Sequence, residues 1–273
     1  MSYATLMVYV DAQDGRTEFV RLACRLSEKF NVRLIGVSAI PVRPPSVVNG
    51  VVVDTVTETE TDQIRLKLVE KEEWFQGIVA ANRRTAEWRS GIDHPTDALT
   101  AEARGADLII AAPGSNLLST YNSLDPGGTV LRAGRPVLFV PEKAASLRGD
   151  RVVVGWKDTR EARRALHDAL PFLHEASRVT IAEVCDPGRE DEARQHIDDV
   201  ARYLAHHRIK AGPKVILHQE GSVAAQLIRL ADEEAADLLV TGAYGHSRLG
   251  EWIFGGVTRD LLSSSPICCL MSH

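Results

Sequence analysis

The stretch ADLLVTGAYGHSRLGEWIFGG, residues 236–256, carries the strongest fold signal in the chain. It starts with an apolar run typical of a buried strand and continues through a polar turn with glycines to a second glycine pair. Glycine weakens regular structure and is used where the backbone needs positive φ or a close approach. The segment therefore predicts either a loop whose N–H groups surround an anion, or tight turns followed by a closely packed helix.

The same pattern occurs earlier in the chain. Two pairs of similar segments lie 130 residues apart: ARGADLIIAAPG (103–114) with EEAADLLVTGAYG (233–245), and RPVLFVPE (135–142) with SPICCLMS (265–272). Near the start of each half, TLMVYVDAQDGRTEFVRLACRL also parallels RVVVGWKDTREARRALHDAL. A repeat of this length indicates one domain type present twice. We predict two domains, residues 1–145 and 146–273, joined near the small polar segment 142–150.

Apolar strands and amphipathic helices alternate within each half, from a first strand to a fifth. In the second half, strands are predicted at 151–156 and 178–184, and helices at 159–173 and 190–207. Ser222 is expected to cap the next helix, since its hydroxyl can accept from a free N–H of the first turn. This alternation predicts an α/β fold of two tandem open sheets, each with five mostly parallel strands covered by helices.

The first half differs by an insertion at residues 41–62. Its run Arg43-Pro44-Pro45 excludes a helix there, so a loop or flap is expected before Asp62. A long helix is then predicted over residues 61–82.

Composition excludes several classes of function. The chain has 273 residues, 44% hydrophobic, and a formal net charge of -5. This mild acidity provides no basic face for nucleic acid, and no apolar run approaches the roughly 20 residues of a membrane span. The N-terminus reads as a first strand and not as a signal peptide, so a cytoplasmic location is expected. Cys268 and Cys269 should point to opposite faces of a strand as buried structural thiols.

The glycine-containing loop follows the fourth strand of the second half, at the sheet edge where ligands of open α/β sheets bind. Backbone N–H groups at 242–245, and those that open a helix at 255–258, can converge on an anion. No Gly-Lys-Ser/Thr closes the loop, so it is not a Walker A motif, and its position excludes the dinucleotide fingerprint of a first strand. Spacing alone leaves open whether these glycines bind a ligand or only permit turns and packing.

The spacing G-x2-G-x9-G, followed by a small residue and Val, resembles the ATP-binding loop of the universal stress protein family. The segments ADLIIAA, ADLLVTG and RPVLFVP and the halved architecture make the whole chain similar to a tandem member. The resemblance implies an adenine nucleotide α-hydrolase-like fold, in which the last strands pair across a two-fold as an intramolecular pseudo-dimer. It also implies a stress-response regulatory module that binds ATP, or AMP or ADP, with or without Mg²⁺. An unidentified protein partner and a homodimer are further expectations.

The resemblance assigns the nucleotide contacts to the second half: Val184, Gly242, Tyr244, Gly245, Gly255, Gly256, Val257 and Thr258. Val184 would lay its backbone against adenine, and Thr258 would add a hydroxyl at the phosphate. Gly256 stands where the family usually has Ser or Thr, which predicts weaker phosphate binding. Lys157 replaces the family's acidic residue after the first strand and cannot accept a hydrogen bond from ribose or adenine, so we expect it to be solvated.

The first half shows the opposite pattern. Asp11 keeps the acidic position, but Pro113 and Pro126 remove N–H donors, and Gly127-Gly128 is followed by only a short helix. We expect this half to pack against the other without binding nucleotide in the family manner, with the inserted segment 41–62 covering a site.

The sequence indicates no catalytic constellation. It shows no Ser-His-Asp order, no Mg-type carboxylate cluster and no activated nucleophile, so at most slow ATP hydrolysis is expected. Among the histidines only His246 is expected in the site; the others considered are assigned to loops or solvated helix faces: His94, His167, His174, His206 and His207. Trp252 and Phe254 are expected to anchor the core or an interface.

Three functions stay open at this point. The first is a nucleotide-binding regulatory module, and the second is a structural or interaction protein of the same fold without nucleotide. The third is a weak ATPase or adenylating enzyme, ranked last because the sequence WKDTRE after the first strand of the second half shows no phosphate loop of the Ser-Gly-Gly type.

Overall fold

A computed structural model of the chain describes residues 2–13, 15–43, 47–48, 51–52, 57–113, 121–144, 146–245 and 256–273. The elements of the first half are β1 (Thr5–Tyr9), α1 (Thr17–Lys29), β2 (Arg33–Ala39), β3 (Val47–Val48), β4 (Val51–Val52), α2 (Glu58–Ala81), β5 (Ala86–Gly91), α3 (Pro95–Glu102), a 3₁₀ turn (Ala103–Gly105), β6 (Leu108–Ala111), α4 (Pro126–Arg132) and β7 (Val137–Phe139).

The second half repeats this order without the insertion. Its elements are β8 (Arg151–Trp156), α5 (Arg160–Asp168), α6 (Leu170–Glu175), β9 (Arg178–Cys185), α7 (Glu190–His206), β10 (Ala211–Leu217), α8 (Val223–Glu233), β11 (Leu238–Gly242), α9 (Gly256–Ser264) and β12 (Cys268–Ser272).

Both halves contribute to one sheet of ten strands in the order β10-β9-β8-β11-β12-β7-β6-β1-β2-β5. Neighbouring strands within each half are parallel, whereas β12 and β7 are antiparallel, with Leu270 opposite Leu138. The predicted α/β fold is therefore confirmed: each half has five parallel strands, and the last strands pair as in a pseudo-dimer.

Helices cover both faces of the sheet because its strands are apolar on both sides. Cys268 lies in the core cluster of one face and Cys269 in that of the other, as strand alternation requires. On the first face the core is continuous between the halves: the rings of Tyr3 and Phe30 of the first half and Phe172 of the second pack edge to face, at centroid distances of 4.9–6.1 Å. The two halves therefore share a core as well as a sheet.

Two predicted helix boundaries are wrong. The helix expected over residues 159–173 is interrupted at Ala169, because Pro171 has no N–H to continue the ladder and starts α6 instead. The helix expected from residue 61 begins at Glu58, where Thr57 and Glu60 form a capping box. The inserted segment before it contains the two-stranded antiparallel ladder β3–β4, and residues 44–46, 49–50 and 53–56 lie outside the described part.

Other local predictions are confirmed. Ser222 caps α8 by accepting the N–H of Ala225, and β12 follows Pro266. Within the described part of segment 142–150 there is no helix or strand, and the N–H groups of Arg148 and Gly149 donate to Asp237 Oδ2 at 2.7 and 2.9 Å. None of the helices in the described ranges is long and apolar enough to cross a membrane.

Candidate functional site

The sheet order of the second half creates a point where successive connections diverge. From β8 the chain proceeds to β9 and β10 on one side, then crosses to β11 and β12 on the other. The loops that follow β8 and β11 therefore leave in opposite directions, and the carboxyl edge between them is where an open α/β sheet forms a ligand crevice.

A crevice of about 350 Å³ opens on one side of this point, beside the carboxyl ends of β8 and β9 and the first turns of α7, and no described residue of β11 or α9 lines it. Its lining is mostly polar and comprises Lys157, Asp158, Glu183, Val184, Cys185, Asp186, Arg189, Glu192, Ala193, His196, His218 and Val223. Val184, which the resemblance assigns to adenine, belongs to this lining. Lys157 is exposed there, as expected.

A buried carboxylate forms part of the crevice wall. Glu183, on β9, is 8% exposed, and its carboxylate oxygens lie 3.2 and 3.3 Å from Nδ1 of His196 on α7. Burial raises the pKa of Glu183 above its ordinary value, although His196 and Lys157 favour the charged form. The crevice thus holds an acid that is easier to protonate than a surface glutamate.

Other charged groups at the crevice form pairs of their own. Arg189 donates to Glu192 Oε2 through Nε at 2.8 Å and Nη2 at 2.6 Å. His218 Nδ1 lies 3.8 Å from Asp186 Oδ1. The expectation that His246 is the only histidine in the site is therefore wrong for this crevice, where His196 and His218 contribute. His196 follows buried Ala193 by one helical turn, a periodicity that was available in the sequence.

The first glycine of the loop is required by packing. A Cβ on Gly242 would lie 2.5 Å from the backbone N of Ala162 and 2.7 Å from the carbonyl carbon of Glu161. The first turn of α5 therefore rests directly on the end of β11. Of the two interpretations of these glycines, close packing accounts for Gly242.

The Cβ side of Gly245 is filled by polar side-chain atoms at the start of α5. A Cβ there would lie 3.1 Å from Glu161 Oε2 and 3.2 Å from Thr159 Oγ1. Thr159 caps α5 by accepting the N–H of Ala162 at 3.3 Å, and Glu161 is the second residue of that helix.

Glu161 is only 4% exposed, yet it stays charged. Burial alone would raise the pKa of Glu161. Hydrogen bonds from Arg160, from its own N–H and from Thr159, together with the positive charge of Arg160, have the larger effect, so the pKa is lowered. The sequence analysis missed this residue; its place two residues after a threonine cap was the available signal.

Tyr244 and Thr258 bring the loop to the start of α9. Tyr244 has φ of 59°, and its N–H donates to the hydroxyl oxygen of Thr258 at 3.2 Å, so this hydroxyl serves the loop's own backbone. The ring of Tyr244 extends toward the first half: a Cβ on Gly127 would lie 2.6 Å from its hydroxyl. Burial and the Asp125 charge raise the pKa of Tyr244 to about 12.

The remaining predicted contacts lie at or before α9. Gly256 is its first residue, and a Cβ there would meet nothing within 4 Å. Val257 is half-buried and packs against the core of the second face. Gly255 lies outside the described residues, as do His246, Trp252 and Phe254. The structure thus groups Gly242, Tyr244, Gly245 and Thr258, whereas Val184 lies in the crevice, whose lining includes none of these four.

At the carboxyl end of β1, the described residues of the first half leave a much smaller space. Val10, Asp11, Arg16, Phe19, Val20 and Trp74 enclose about 10 Å³. Such a space holds at most one water molecule. Across the part of the chain with described side chains, no group of three or more His, Cys, Asp or Glu residues is arranged to hold a metal ion.

These features define a doubly wound α/β protein whose repeated halves join through their last strands and whose second half opens a crevice at its carboxyl edge. A profile of the Universal stress protein family matches residues 149–273. The second half of the chain is therefore similar to the universal stress protein family over essentially its whole length.

Solved structures extend the likeness to the full length. A universal stress protein from Archaeoglobus fulgidus is 14% identical with a TM-score of 0.74, covering 98% of this chain and 97% of that one. A protein of unknown function from Pseudomonas aeruginosa is 13% identical with a TM-score of 0.58, covering 99% and 92%. At these identities the likeness shows the fold, including its tandem arrangement. A search of curated proteins finds no match.

Proposed function

We propose that the second half binds an adenine nucleotide (ATP, ADP or AMP, with Mg²⁺ accompanying a polyphosphate) and acts as a stress-response regulatory module. The observation that carries the proposal is the hydrogen bond from Tyr244 N–H to the Thr258 hydroxyl, which joins the end of β11 to the start of α9 on the sheet edge that also carries the crevice. Occupancy would change the shape of this edge or the choice of protein partner.

The base and ribose suit the crevice. Its volume of about 350 Å³ falls within the range of small-molecule pockets, and Val184 belongs to its wall. The lining also offers hydrogen-bond acceptors, since the carboxylates of Glu183 and Asp186 can accept from an amine or a hydroxyl.

The start of α9 is the part of the site best suited to an anion. Helix N-termini carry free N–H groups and favour negative charge by about 0.3–1 kcal/mol. Gly256 itself has no side chain, and no atom of the described residues lies within 4 Å of the position that a Cβ would take there, which favours the approach of a phosphate to the backbone.

Isothermal titration with ATP·Mg and with AMP tests the proposal. The Gly245→Val variant places bulk against Glu161 and Thr159 at the mouth of the loop, and we expect at least about tenfold weaker binding, equivalent to about 1.4 kcal/mol. Gly91→Val is the matched control, because it makes the same change at the end of β5 in the first half, where nothing lies within 4 Å. Absence of binding to the unaltered protein would contradict the proposal.

One observation favours the alternative of a structural or interaction protein without nucleotide: the charged carboxylate of Glu161 lies directly against Gly245. Mass spectrometry of what copurifies with the protein separates the two functions, since only the first predicts an adenine-containing molecule. The domain limits 1–145 and 146–273, a homodimer and a cytoplasmic location stay predictions.

A further inference from the structure

We propose that the crevice binds adenosine together with one proton, which the Glu183–His196 pair takes up, so that binding weakens as pH rises. This inference rests on the proposed adenine-binding function and adds the regulation of that same site. Because adenosine is uncharged, the effect does not depend on where a phosphate group would lie. His196 is the member of the pair that meets the ligand, and Glu183 is the positioning residue behind it.

The pair joins β9 to α7 at the wall of the crevice. Both oxygens of the Glu183 carboxylate lie near Nδ1 of His196, at 3.2 and 3.3 Å. A proton on Nδ1 therefore faces the carboxylate, which leaves Nε2 as the ring nitrogen that can meet a ligand or water. The His196 side chain is 27% exposed and the Glu183 side chain 11%, so a ligand that fills the crevice removes water mainly from the imidazole.

The charge of the pair depends on how many protons it holds. With no proton to share, the pair carries the negative charge of Glu183, whereas with one proton its formal charges cancel. Removal of water disfavours a net charge more than a neutral pair. Binding of an uncharged ligand therefore favours the state with one proton, and a protein without this proton must take it up. The two groups titrate as a unit, so the proton belongs to the pair and not to one residue.

The surroundings of the pair carry more negative than positive charge. The titratable side chains that line the crevice beside the pair are Lys157, Asp158, Cys185, Asp186, Arg189, Glu192 and His218. With Glu183 they make four carboxylates against two permanent cations, and Arg163 of α5 adds a third cation by pairing with Asp158 at 2.6 Å. Burial is the largest influence on Glu183 and raises its pKa, although His196 and Lys157 favour the charged form. The remaining excess of negative charge favours the uptake of a proton.

A second histidine of the crevice provides an internal comparison. His218, which follows β10, lies 3.8 Å from Asp186 Oδ1, and these two side chains are more exposed than those of the first pair, at 38% and 75%. Solvent screens this looser pair, so ligand binding should change its protonation less. Lys214, the charged residue of β10, pairs with Glu233 of α8 on the other face of the sheet. The linked proton is therefore assigned to Glu183 and His196.

The experiment is calorimetric titration of the full chain with adenosine, which stays uncharged from pH 6 to pH 8.5. Titrations at pH 7.5 in two buffers of different ionisation enthalpy give the number of protons exchanged, and we expect a net uptake of up to about one proton. Affinity should fall about tenfold from pH 6 to pH 8.5. This change corresponds to a shift of about one unit in the pH at which the pair loses its proton.

Replacement of both members of the pair, Glu183→Gln with His196→Gln, removes the titration and keeps polar side chains. We expect the adenosine affinity of this variant to stay constant within about twofold over the same pH range. Glu183→Gln alone leaves an imidazole whose charged form burial disfavours, so binding should release a proton instead of taking one up. His167→Gln is the matched control: His167 lies 3.7 Å from a carboxylate oxygen of Asp168 but outside the crevice lining, so the uptake should be unchanged.

The outcomes separate the two proposals. Adenosine binding without proton uptake, or with an affinity that does not fall as pH rises, overturns this inference and leaves nucleotide binding standing, as does binding of AMP without binding of adenosine. Uptake that persists in the double variant, or that is lost in His218→Gln, assigns the proton elsewhere and also overturns it. Failure of both adenosine and AMP to bind overturns the proposed function itself. Where the double variant does not fold, the direction of proton exchange in Glu183→Gln decides.

Discussion

The carboxyl edges of the two halves share a topology and differ in what fills them. In the first half the space beside Asp11 is about 10 Å³, bordered by Arg16, Phe19 and Trp74, whereas the second-half crevice is about 350 Å³. The long helix α2, which carries Trp74, belongs to the half with the insertion. The same strand order thus leaves a small space where aromatic side chains border the end of the central strand and a larger one where the lining is mostly polar.

One position in the sheet illustrates the difference. Ser38 on β2 and Glu183 on β9 occupy equivalent positions in the two halves. The fifth residue of β1 pairs with the residue before Ser38, and the fifth residue of β8 pairs with the residue before Glu183. Ser38 is fully buried, whereas Glu183 meets His196 at the crevice wall. A small side chain permits closure at this point, and a carboxylate with its imidazole partner keeps the edge polar.

The first helix of each half shows the same divergence. α1 begins at Thr17 without a side-chain cap, and its second residue, Glu18, is exposed and paired with Arg21. α5 is capped by Thr159, and its second residue, Glu161, is buried against the glycine loop. Similar sequence at this turn therefore produces a surface ion pair in one half and a buried anion in the other.

The largest effect that tests this comparison is expected from Gly242→Ala, which gives the second half the residue that Ala112 supplies 130 positions earlier. The new Cβ would lie 2.5 Å from Ala162 N, so α5 must move, and we expect a loss of about 1–3 kcal/mol of unfolding free energy in urea. Gly256→Ala is the control, because it meets nothing within 4 Å and should be neutral or slightly stabilising. Equal stability of Gly242→Ala and the unaltered protein would show that the two edges pack alike.

A smaller effect is expected at the cap that α1 lacks. Thr159→Ala removes the acceptor of Ala162 N–H and a hydrogen bond to Glu161, which should cost about 1 kcal/mol in the same urea experiment. Thr159→Ser keeps the hydroxyl and should restore most of the loss. Ser222→Ala removes a cap of the same kind from α8, whose first turn has no buried carboxylate. Its loss of unfolding free energy gives the cost of losing the cap alone. A Thr159→Ala protein as stable as the Thr159→Ser protein would contradict the role given to this hydroxyl.

The smallest effect is a pH dependence at Glu183. Because burial raises its pKa, the protonated side chain is favoured by the fold; this stability is present below the ordinary glutamate pKa and is lost as pH rises through the raised value. Glu183→Gln imitates the protonated state, so its unfolding free energy relative to the unaltered protein should increase between pH 4 and pH 7. Glu192→Gln, an exposed position of the same crevice, controls for charge removal. If the difference in unfolding free energy between Glu183→Gln and the unaltered protein stays constant from pH 4 to pH 7, burial does not dominate the pKa of Glu183.

The architecture could be predicted from the sequence because its signals are local or repeated. The 130-residue repeat, the apolar strands and the cap at Ser222 each depend on a short window. The break at Ala169 was readable from Pro171 and was overlooked. The spacing of the glycines indicates the loop of the universal stress protein family. It does not show whether Gly242 is there for packing or for the approach of a ligand.

The site could be predicted only in part, because its decisive contacts join distant segments. Glu161 is buried because α5 rests on the end of β11, about 80 residues further along the chain. The pair of Glu183 and His196 joins a strand to the following helix, and its burial depends on how that helix lies on the sheet. Tyr244 reaches α4 of the other half. Such contacts follow from tertiary packing, which propensity and spacing do not encode.

The antiparallel pairing of β7 with β12 has a consequence for self-association. β12 already has β11 on one side and β7 on the other, so a second chain cannot add to the sheet there, and any dimer must use another surface or the outer strands β10 and β5. The two halves stay together at any dilution because one polypeptide contains both. The two halves have separate sequences, so a substitution in one does not have to occur in the other. Ser38 in the first half can therefore stand where the second half has Glu183.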